Sequence, residues 1–377
     1  MIREISIENF KSIESLKLNL GRLNVLIGAN GSGKSNILEA ITFGSAVPMF
    51  NLTNEILSTR GIRMTEKDLM FSGFNSQNPD EEIVIRFTNE KKEVVIMRIT
   101  SEGKKFFGVP IVSTDEEDLI KFNSFKKVIS LSMEDVPINK AFDSFIDFFK
   151  KGAIHAFEND IFDFRIFAPE NFFLRNPSEN QIKPLGIRGD GLLKHIAEIG
   201  FKNPAIFDEL KENLTLIDWF DDIEFDRTAD GYFTGRIRIK DIYLKEGVKY
   251  FDINSANEGF LYLLFYLTLF ISDETPKFFA IDNIDTALNP KLATDLIKVL
   301  AKLAQKHDKQ VIFTTHNPAV LDGLNLNDDE QRLFVISRNA KGHTKAKRIE
   351  TKPVPANGHS IKLSEHFLRG NLGGLNF

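Results

Sequence analysis

The sequence predicts an α/β protein, a parallel sheet with helices, split by a long insertion of mixed strand and helix. Three observations carry this reading. An apolar run, Leu23-Asn24-Val25-Leu26-Ile27, passes through a glycine-rich loop into the helix-like Asn36-Ile37-Leu38-Glu39-Ala40-Ile41. From residue 257 onward helix and strand patterns alternate: helix 257–272, strand 277–282, helix 290–306, strand 310–315, helix about 317–322, strand 332–337. Such alternation argues for βαβ units and parallel pairing. The stretch between these regions changes period repeatedly and belongs to neither.

The elements follow in order. Ile2, Ile5 and Ile7, then Leu16, Leu18 and Leu20, alternate as two short strands before the run at 23–27. Residues 45–80 lose periodicity and end in the polar Ser76-Gln77-Asn78-Pro79-Asp80. Strands are expected near Ile83–Phe87, Val94–Ile99 and Phe106–Val112, then a charged, Phe-rich helical stretch from Asp115 to Glu158. A strand from Phe162 to Phe167 follows, then two short helices between Gly189 and Leu214. Further strands are expected at Ile223–Phe225, Tyr232–Ile239 and Tyr250–Ile253. The chain accordingly divides at 1–80, 81–250 and 251–377, the first and last parts forming one split fold. The insertion's strands are expected to extend the sheet and its helices to form a lid. No internal repeat or sustained heptad is present, so a long coiled-coil arm is not expected.

Composition narrows the class. Hydrophobic residues make up 42% of 377, enough for a substantial core. The absence of cysteine excludes disulfides and cysteine-based zinc sites and fits a reducing cytoplasm. The N-terminus runs directly into strand pattern, so no secretion signal is expected. The longest apolar stretch, Gly259–Ile271, falls short of the ~20 residues that span a bilayer and reads as a buried helix. A soluble cytoplasmic protein is the expectation. The formal charge of −5 neither favours nor forbids a nucleic-acid partner. Thirty-five phenylalanines against one tryptophan and five tyrosines read as core rather than base-stacking platforms.

Gly28-Ala29-Asn30-Gly31-Ser32-Gly33-Lys34-Ser35 is a complete Walker A loop, placed between a strand and a helix. Its glycines let successive backbone N–H groups face phosphates, and the helix N-terminus adds a favourable dipole. Lys34 can neutralise the outer phosphates and Ser35 can ligate magnesium, so ATP or GTP is the expected ligand. Phe278-Phe279-Ala280-Ile281-Asp282 is an apolar strand ending in aspartate, a Walker B pattern that can hold Mg2+. Asp285-Thr286-Ala287-Leu288-Asn289-Pro290 turns into a helix, and Val311–Thr315 is a second strand ending at His316.

Together these segments resemble the ABC-type ATPases of the SMC/RecF branch, especially the stand-alone AAA-family and OLD-like ATPases of bacterial defence. The carriers are Ile5-Ser6-Ile7-Glu8-Asn9-Phe10-Lys11-Ser12, the Walker A and B motifs, a D-loop-like Asp285–Pro290, and Thr314-Thr315-His316-Asn317-Pro318 around a switch histidine. The tail Ser364–Gly370 with Gly373-Gly374 adds to it. The resemblance covers roughly the first 45 and the last 120 residues. It implies an ABC-type P-loop ATPase head, ATP and Mg2+ as cofactors, and a homodimer in which two heads sandwich two nucleotides. Lys34, Asp282, Asn283 and His316 would form the catalytic set, with His316 a γ-phosphate sensor, and Lys11 and Ser12 would lie near the α-phosphate or base, though a solvated place at the surface explains those two equally well.

Two departures matter. The signature segment is Ser255-Ala256-Asn257-Glu258-Gly259-Phe260, with Asn257 at the serine position and Gly259 retained; Asn257 is equally a plain N-cap for the helix that follows. After Asp282 the family usually has glutamate, and this chain has Asn283, which can bind a water but cannot take its proton. A slow ATPase is the consequence, unless Asp285 or Glu258 supplies the carboxylate. Gln77 is a Q-loop candidate or an ordinary loop residue. The pairs Lys104-Lys105 and Lys126-Lys127, and Lys345-Ala346-Lys347-Arg348, are solvated charge or phosphate-backbone contacts.

The expected function is an ATP-dependent dimerisation switch acting through a separately encoded effector, a nuclease or toxin, in antiphage defence. The chain is expected to carry no nuclease of its own. The alternative is a RecF-like DNA-binding ATPase acting directly in repair. A membrane-transporter subunit is disfavoured by the insertion and the Asn-Phe-Lys-Ser segment.

Overall fold

The computed structural model describes residues 1–49, 52–66, 69–72, 82–102, 105–113, 161–176, 184–227, 233–245, 247–248, 250–350 and 361–373. The chain forms two compact units: Met1–Gly21, Asn30–Phe164 and Ile336–Lys347 in one, and Arg22–Ala29, Arg165–Val335 and Arg348–Phe377 in the other.

In the first unit, β1 (Ile2–Phe10) and β2 (Ile13–Asn19) form an antiparallel hairpin whose buried Ile5, Ile7, Leu16 and Leu18 follow the alternation in the sequence. β4 (Ile83–Asn89), β5 (Val94–Glu102) and β6 (Lys105–Ser113) extend it to a five-stranded sheet ordered β2-β1-β4-β5-β6. The insertion's first three strands thus join the sheet of the N-terminal hairpin. Helix α1 (Lys34–Ala46) is buried along most of its length, with Phe43 6.0 Å from Phe10 between ring centroids. A short helix α2 (Asn54–Thr59) starts at Thr53, whose hydroxyl accepts the Ile56 N–H.

The second unit is built on a parallel sheet. β3 (Leu23–Ile27) lies between β12 (Gln310–Thr315) and β13 (Gln331–Arg338), and β11 (Phe278–Ile281) and β7 (Ile166–Phe167) continue beyond β12. β3, β11 and β12 are buried at every position, which is why they read as continuous apolar runs rather than alternating ones. Ile336–Lys347 belong to the first unit, and there β13 turns through Asn339–His343 into β14 (Thr344–Ile349), a strand not expected from the sequence. The helices are α3 (Asn171–Arg175), α4 (Leu192–Lys202), α5 (Pro204–Leu214), α6 (Glu258–Ile271), α7 (Pro290–Lys306) and α8 (Leu363–Leu368). All residues of α6 from Phe260 to Ile271 are buried, so the long apolar stretch is a core helix. In α7 only Ala293, Leu296, Ile297, Leu300, Leu303 and Ala304 are buried, a single apolar stripe. β8 (Phe220–Arg227), β9 (Phe233–Asp241) and β10 (Phe251–Asp252) form a separate antiparallel sheet.

Two expectations are corrected. The strand expected from Phe162 is confined to Ile166–Phe167, because residues 161–163 turn and the Arg60 guanidinium takes the Phe162 and Phe164 carbonyls. The helix expected at 317–322 is a 3-10 turn, Pro318–Gly323, capped by Asn317. The helical stretch expected at 115–158 lies outside the described residues.

Candidate nucleotide site

The phosphate loop leaves β3 at Ile27 and ends where α1 begins at Lys34. Gly31 and Gly33 have φ of +73° and +105°, left-handed values that glycine adopts without strain. Gly33 at the N-cap of α1 offers no side-chain cap. Ser32 and Lys34 are each only 5% exposed, and the Ser32 Oγ is buried without a hydrogen-bond partner. An orphaned hydroxyl in a left-handed glycine loop fits a phosphate, whose oxygens would accept from it.

Residues around the loop hold its shape. Thr344 Oγ1 donates to the Ser32 carbonyl at 3.2 Å, its hydroxyl lies 2.7 Å from that of Ser12, and Asn36 Nδ2 donates to Ser12 Oγ at 2.7 Å. Lys11, at φ +47°, places Nζ 2.6 Å from Glu39 Oε2 and 3.2 Å from the Arg63 carbonyl. Glu39, on α1 and 1% exposed, also accepts from Arg63 Nε at 2.6 Å. Two cations thus satisfy one buried carboxylate.

In the second unit, parallel pairing brings several predicted residues to one sheet edge. Ile27, the last residue of β3, pairs with Thr315, and Phe313 pairs with Ile281, so Gly28, His316 and Asp282 all follow the same carboxyl ends. Ligands of open parallel sheets bind at that edge. The Thr314 hydroxyl donates to Asp282 Oδ1 and accepts the Asn283 N–H at 2.9 Å. The Ile284 N–H reaches the Thr314 carbonyl at 3.1 Å. Thr315 Oγ1 donates to Asp285 Oδ1 at 2.5 Å and accepts the Asn317 N–H at 3.0 Å. Asn283 and His316 are exposed, and Asn283 sits at φ +56°.

The segment read as signature-like lies at the start of α6. Asn257 caps α6, its Oδ1 accepting the Phe260 N–H at 2.8 Å. A Cβ on Gly259 would stand 3.1 Å from the Ala287 carbonyl, so the start of α6 packs against the D-loop-like turn. Arg175 pins the approach, donating to the Asn254 and Ala256 carbonyls at 2.6 and 2.8 Å. Burial pushes the Tyr266 hydroxyl on α6 well above the ordinary phenol range, with Tyr262 and Asp285 adding to it.

Thr314, Thr344 and Arg175 were not singled out from sequence, although Thr314 lay inside a quoted motif. Of the basic groups, Lys345 and Lys347 are exposed on β14, and Arg348 pairs with Asp329, whose carboxyl that guanidinium holds below its usual range. Lys105 opens β6; Gln77, Lys104, Lys126 and Lys127 lie outside the described residues. His195, Glu198 and Glu274 converge, but Lys202 lies 3.5 Å from Glu198 and 3.8 Å from Glu274 and answers their charge.

A family profile described as "AAA domain, putative AbiEii toxin, Type IV TA system" matches residues 23–322. The chain belongs to this AAA-domain family. Over 96 residues the chain is 40% identical to an uncharacterised protein of Methanocaldococcus jannaschii, covering 24% of this chain and 43% of that one. Over 101 residues it is 33% identical to an ATP/GTP phosphatase of Helicobacter pylori, covering 25% and 26%. Over 55 residues it is 46% identical to the DNA double-strand break repair Rad50 ATPase of Sulfolobus acidocaldarius, covering 14% and 6%. It therefore spans less than half the length of these relatives. Among solved structures, it is similar to an SMC head bound to the C-winged helix domain of ScpA, with a TM-score of 0.57 and 17% identity over 92% of this chain and 98% of that one. An SMC head with an extended coiled coil, bound to the C-terminal domain of ScpA derived from Pyrococcus furiosus, gives 0.52 and 15% over 92% and 96%. The chain thus has the ABC-type fold of SMC heads. No helix among the described residues is long and apolar enough to cross a membrane.

Proposed function

We propose that the protein binds Mg2+-ATP at the phosphate loop and hydrolyses it slowly, using ATP-dependent pairing of two heads to control a separately encoded effector in antiphage defence. The observation that carries the reading is the loop itself: two left-handed glycines, an uncapped helix start and a buried, orphaned serine hydroxyl. Lys34 would neutralise the outer phosphates. The hydroxyl of Ser35 and the carboxylate of Asp282 are hard oxygen donors that suit Mg2+, which would offset the charge of the β- and γ-phosphates. Asn283 would hydrogen-bond the attacking water without accepting its proton. His316 would sense the γ-phosphate, and Asn257 and Gly259 would serve the nucleotide of the second copy. The family's association with a toxin of type IV toxin–antitoxin systems supports an effector as the output.

The test is ATP turnover by the purified protein with Lys34→Ala as the blank. Tight binding with slow turnover supports the reading. Brisk turnover that persists in Asp285→Asn and Glu258→Gln removes the basis for a timer.

A second reading is a DNA clamp acting in repair, favoured by the stretch shared with the Rad50 ATPase. It predicts ATP-dependent retention on duplex DNA that weakens steeply with salt; retention unaffected by ATP argues against it.

A further inference from the structure

Thr344 has one hydroxyl proton and gives it to the Ser32 carbonyl. The Ser12 hydroxyl, 2.7 Å away, must therefore donate to Thr344, and it in turn accepts from Asn36 Nδ2. The result is a relay of one sense: Asn36 to Ser12 to Thr344 to Ser32. Ser12, Thr344 and Ser32 are 4%, 0% and 5% exposed, so water does not compete for these bonds. The Thr344 N–H also donates to the Ser12 carbonyl at 2.8 Å, fixing the strand that carries the hydroxyl. A Cβ on Gly33 would lie 2.1 Å from Thr344 Oγ1 and 2.9 Å from its Cγ2, so the threonine side chain fills the space beside that glycine.

We propose that Thr344 is a positioning residue that holds the phosphate loop in its anion-binding form before any nucleotide arrives. In a planar trans peptide the C=O and the next N–H point in opposite directions. Anchoring the Ser32 carbonyl on Thr344 therefore turns the Gly33 N–H to the opposite side of the loop, the orientation an anion-binding nest requires. Without the hydroxyl, the buried carbonyl loses its partner, and the 32–33 peptide can rotate to present an oxygen, rather than a proton, to a phosphate. Gly33, whose φ takes up that rotation, makes it easy, which is why an outside clamp is needed. For its effect on binding, though not on loop order, the proposal rests on the ATP-binding reading above.

The test compares Thr344→Val, which keeps the bulk and removes the hydroxyl, with Thr344→Ser, which keeps the hydroxyl. Hydrogen exchange of the nucleotide-free protein reads the clamp alone: Thr344→Val should raise exchange at the amides of residues 30–36 about tenfold, and Thr344→Ser should stay near wild type. Binding of a fluorescent ATP analogue with Mg2+ should weaken about tenfold in Thr344→Val and far less in Thr344→Ser. In turnover the loss should fall on KM rather than kcat. Wild-type exchange in Thr344→Val overturns the proposal whatever the nucleotide does. Raised exchange with unchanged nucleotide affinity overturns its functional half. Wild-type binding by Lys34→Ala instead defeats the ATP-binding reading and leaves the exchange result to judge the clamp. If Thr344→Val fails to fold, Ser12→Ala, which removes the donor to Thr344, must show the same exchange increase in smaller measure, or the relay is not the cause.

Discussion

One hydroxyl, that of Thr314, donates to the Asp282 carboxylate while accepting the N–H of Asn283. A single β12 side chain thereby orients the carboxylate ending the neighbouring strand and the peptide after it. Partners of this kind around a metal-binding carboxylate are commonly worth 10–100-fold, so Thr314→Val is expected to lower apparent Mg2+ affinity by about tenfold. Titrating Mg2+ against bound fluorescent ATP analogue reads this directly, with affinity measured in excess chelator as the control. Thr314→Ser should restore it. An unchanged Mg2+ midpoint in Thr314→Val would mean that Asp282 is oriented by something else or does not hold the metal.

Asn283 has two properties that pull apart under mutation. Its backbone is left-handed, φ +56°, where asparagine is tolerated and a longer side chain costs about 1 kcal/mol. Its amide, exposed at the sheet edge, cannot serve as a base. Asn283→Glu is expected to lose about 1 kcal/mol of stability yet gain roughly tenfold or more in turnover, general-base catalysis being worth at least that much. Asn283→Gly should be at least as stable as wild type and no faster. Denaturant melts and steady-state turnover on the three proteins check both halves. If Asn283→Glu folds and hydrolyses no faster, the missing carboxylate is not what limits the rate.

What the sequence disclosed and what it hid follow from the range of the interactions. The loop at 28–35, the apolar α6 and the single stripe of α7 are local patterns, and they appear where the spacing puts them. Parallel, fully buried β3, β11 and β12 also show themselves as unbroken apolar runs. β14 does not, because its buried residues are Thr344 and Ile349 with exposed Lys345 and Lys347 between them, too little apolar alternation to signal a strand. Arg175 and Thr344 act across separations of about 80 and 312 residues, on backbone carbonyls that carry no side-chain signature. The asparagine at 257 was legible as a cap by residue type and works as one; Asn289 caps α7 in the same way.

Lys309 is a second kind of hidden device. It is 1% exposed, and its ammonium donates to the carbonyls of Ser272, Thr275 and Pro276 and to the Thr275 hydroxyl, closing the turn that ends α6. Lys309→Met fills the stem's volume but takes that donor from the Thr275 and Pro276 carbonyls, while the Ser272 carbonyl keeps the Thr275 hydroxyl. Each unsatisfied buried acceptor costs about 1–3 kcal/mol, so a loss of at least about 2 kcal/mol is expected. Urea unfolding measures it. A loss within about 0.5 kcal/mol, typical of surface substitutions, would show that water replaces the ammonium without difficulty.

His195 on α4 predicts a pH dependence. Burial lowers its pKa below the ordinary 6.5, against the opposing pull of Glu274 and Glu198 and with a smaller push from Lys202. Its Nε2 is held 2.8 Å from the Ser272 hydroxyl. The unfolded chain therefore takes up a proton at a higher pH than the folded one, and stability rises with pH wherever the unfolded state holds more protons. The contribution is complete above pH 6.5 and is lost as the pH falls toward the folded value. Glu209, Asp308 and Asp329 are also lowered, but from 4.5 and 3.8, so they act below this window. Urea midpoints measured at pH 7.5 and at about pH 5.5 should drop more for wild type than for His195→Asn, which has no proton to take up. An equal drop in both proteins would place the acid sensitivity elsewhere.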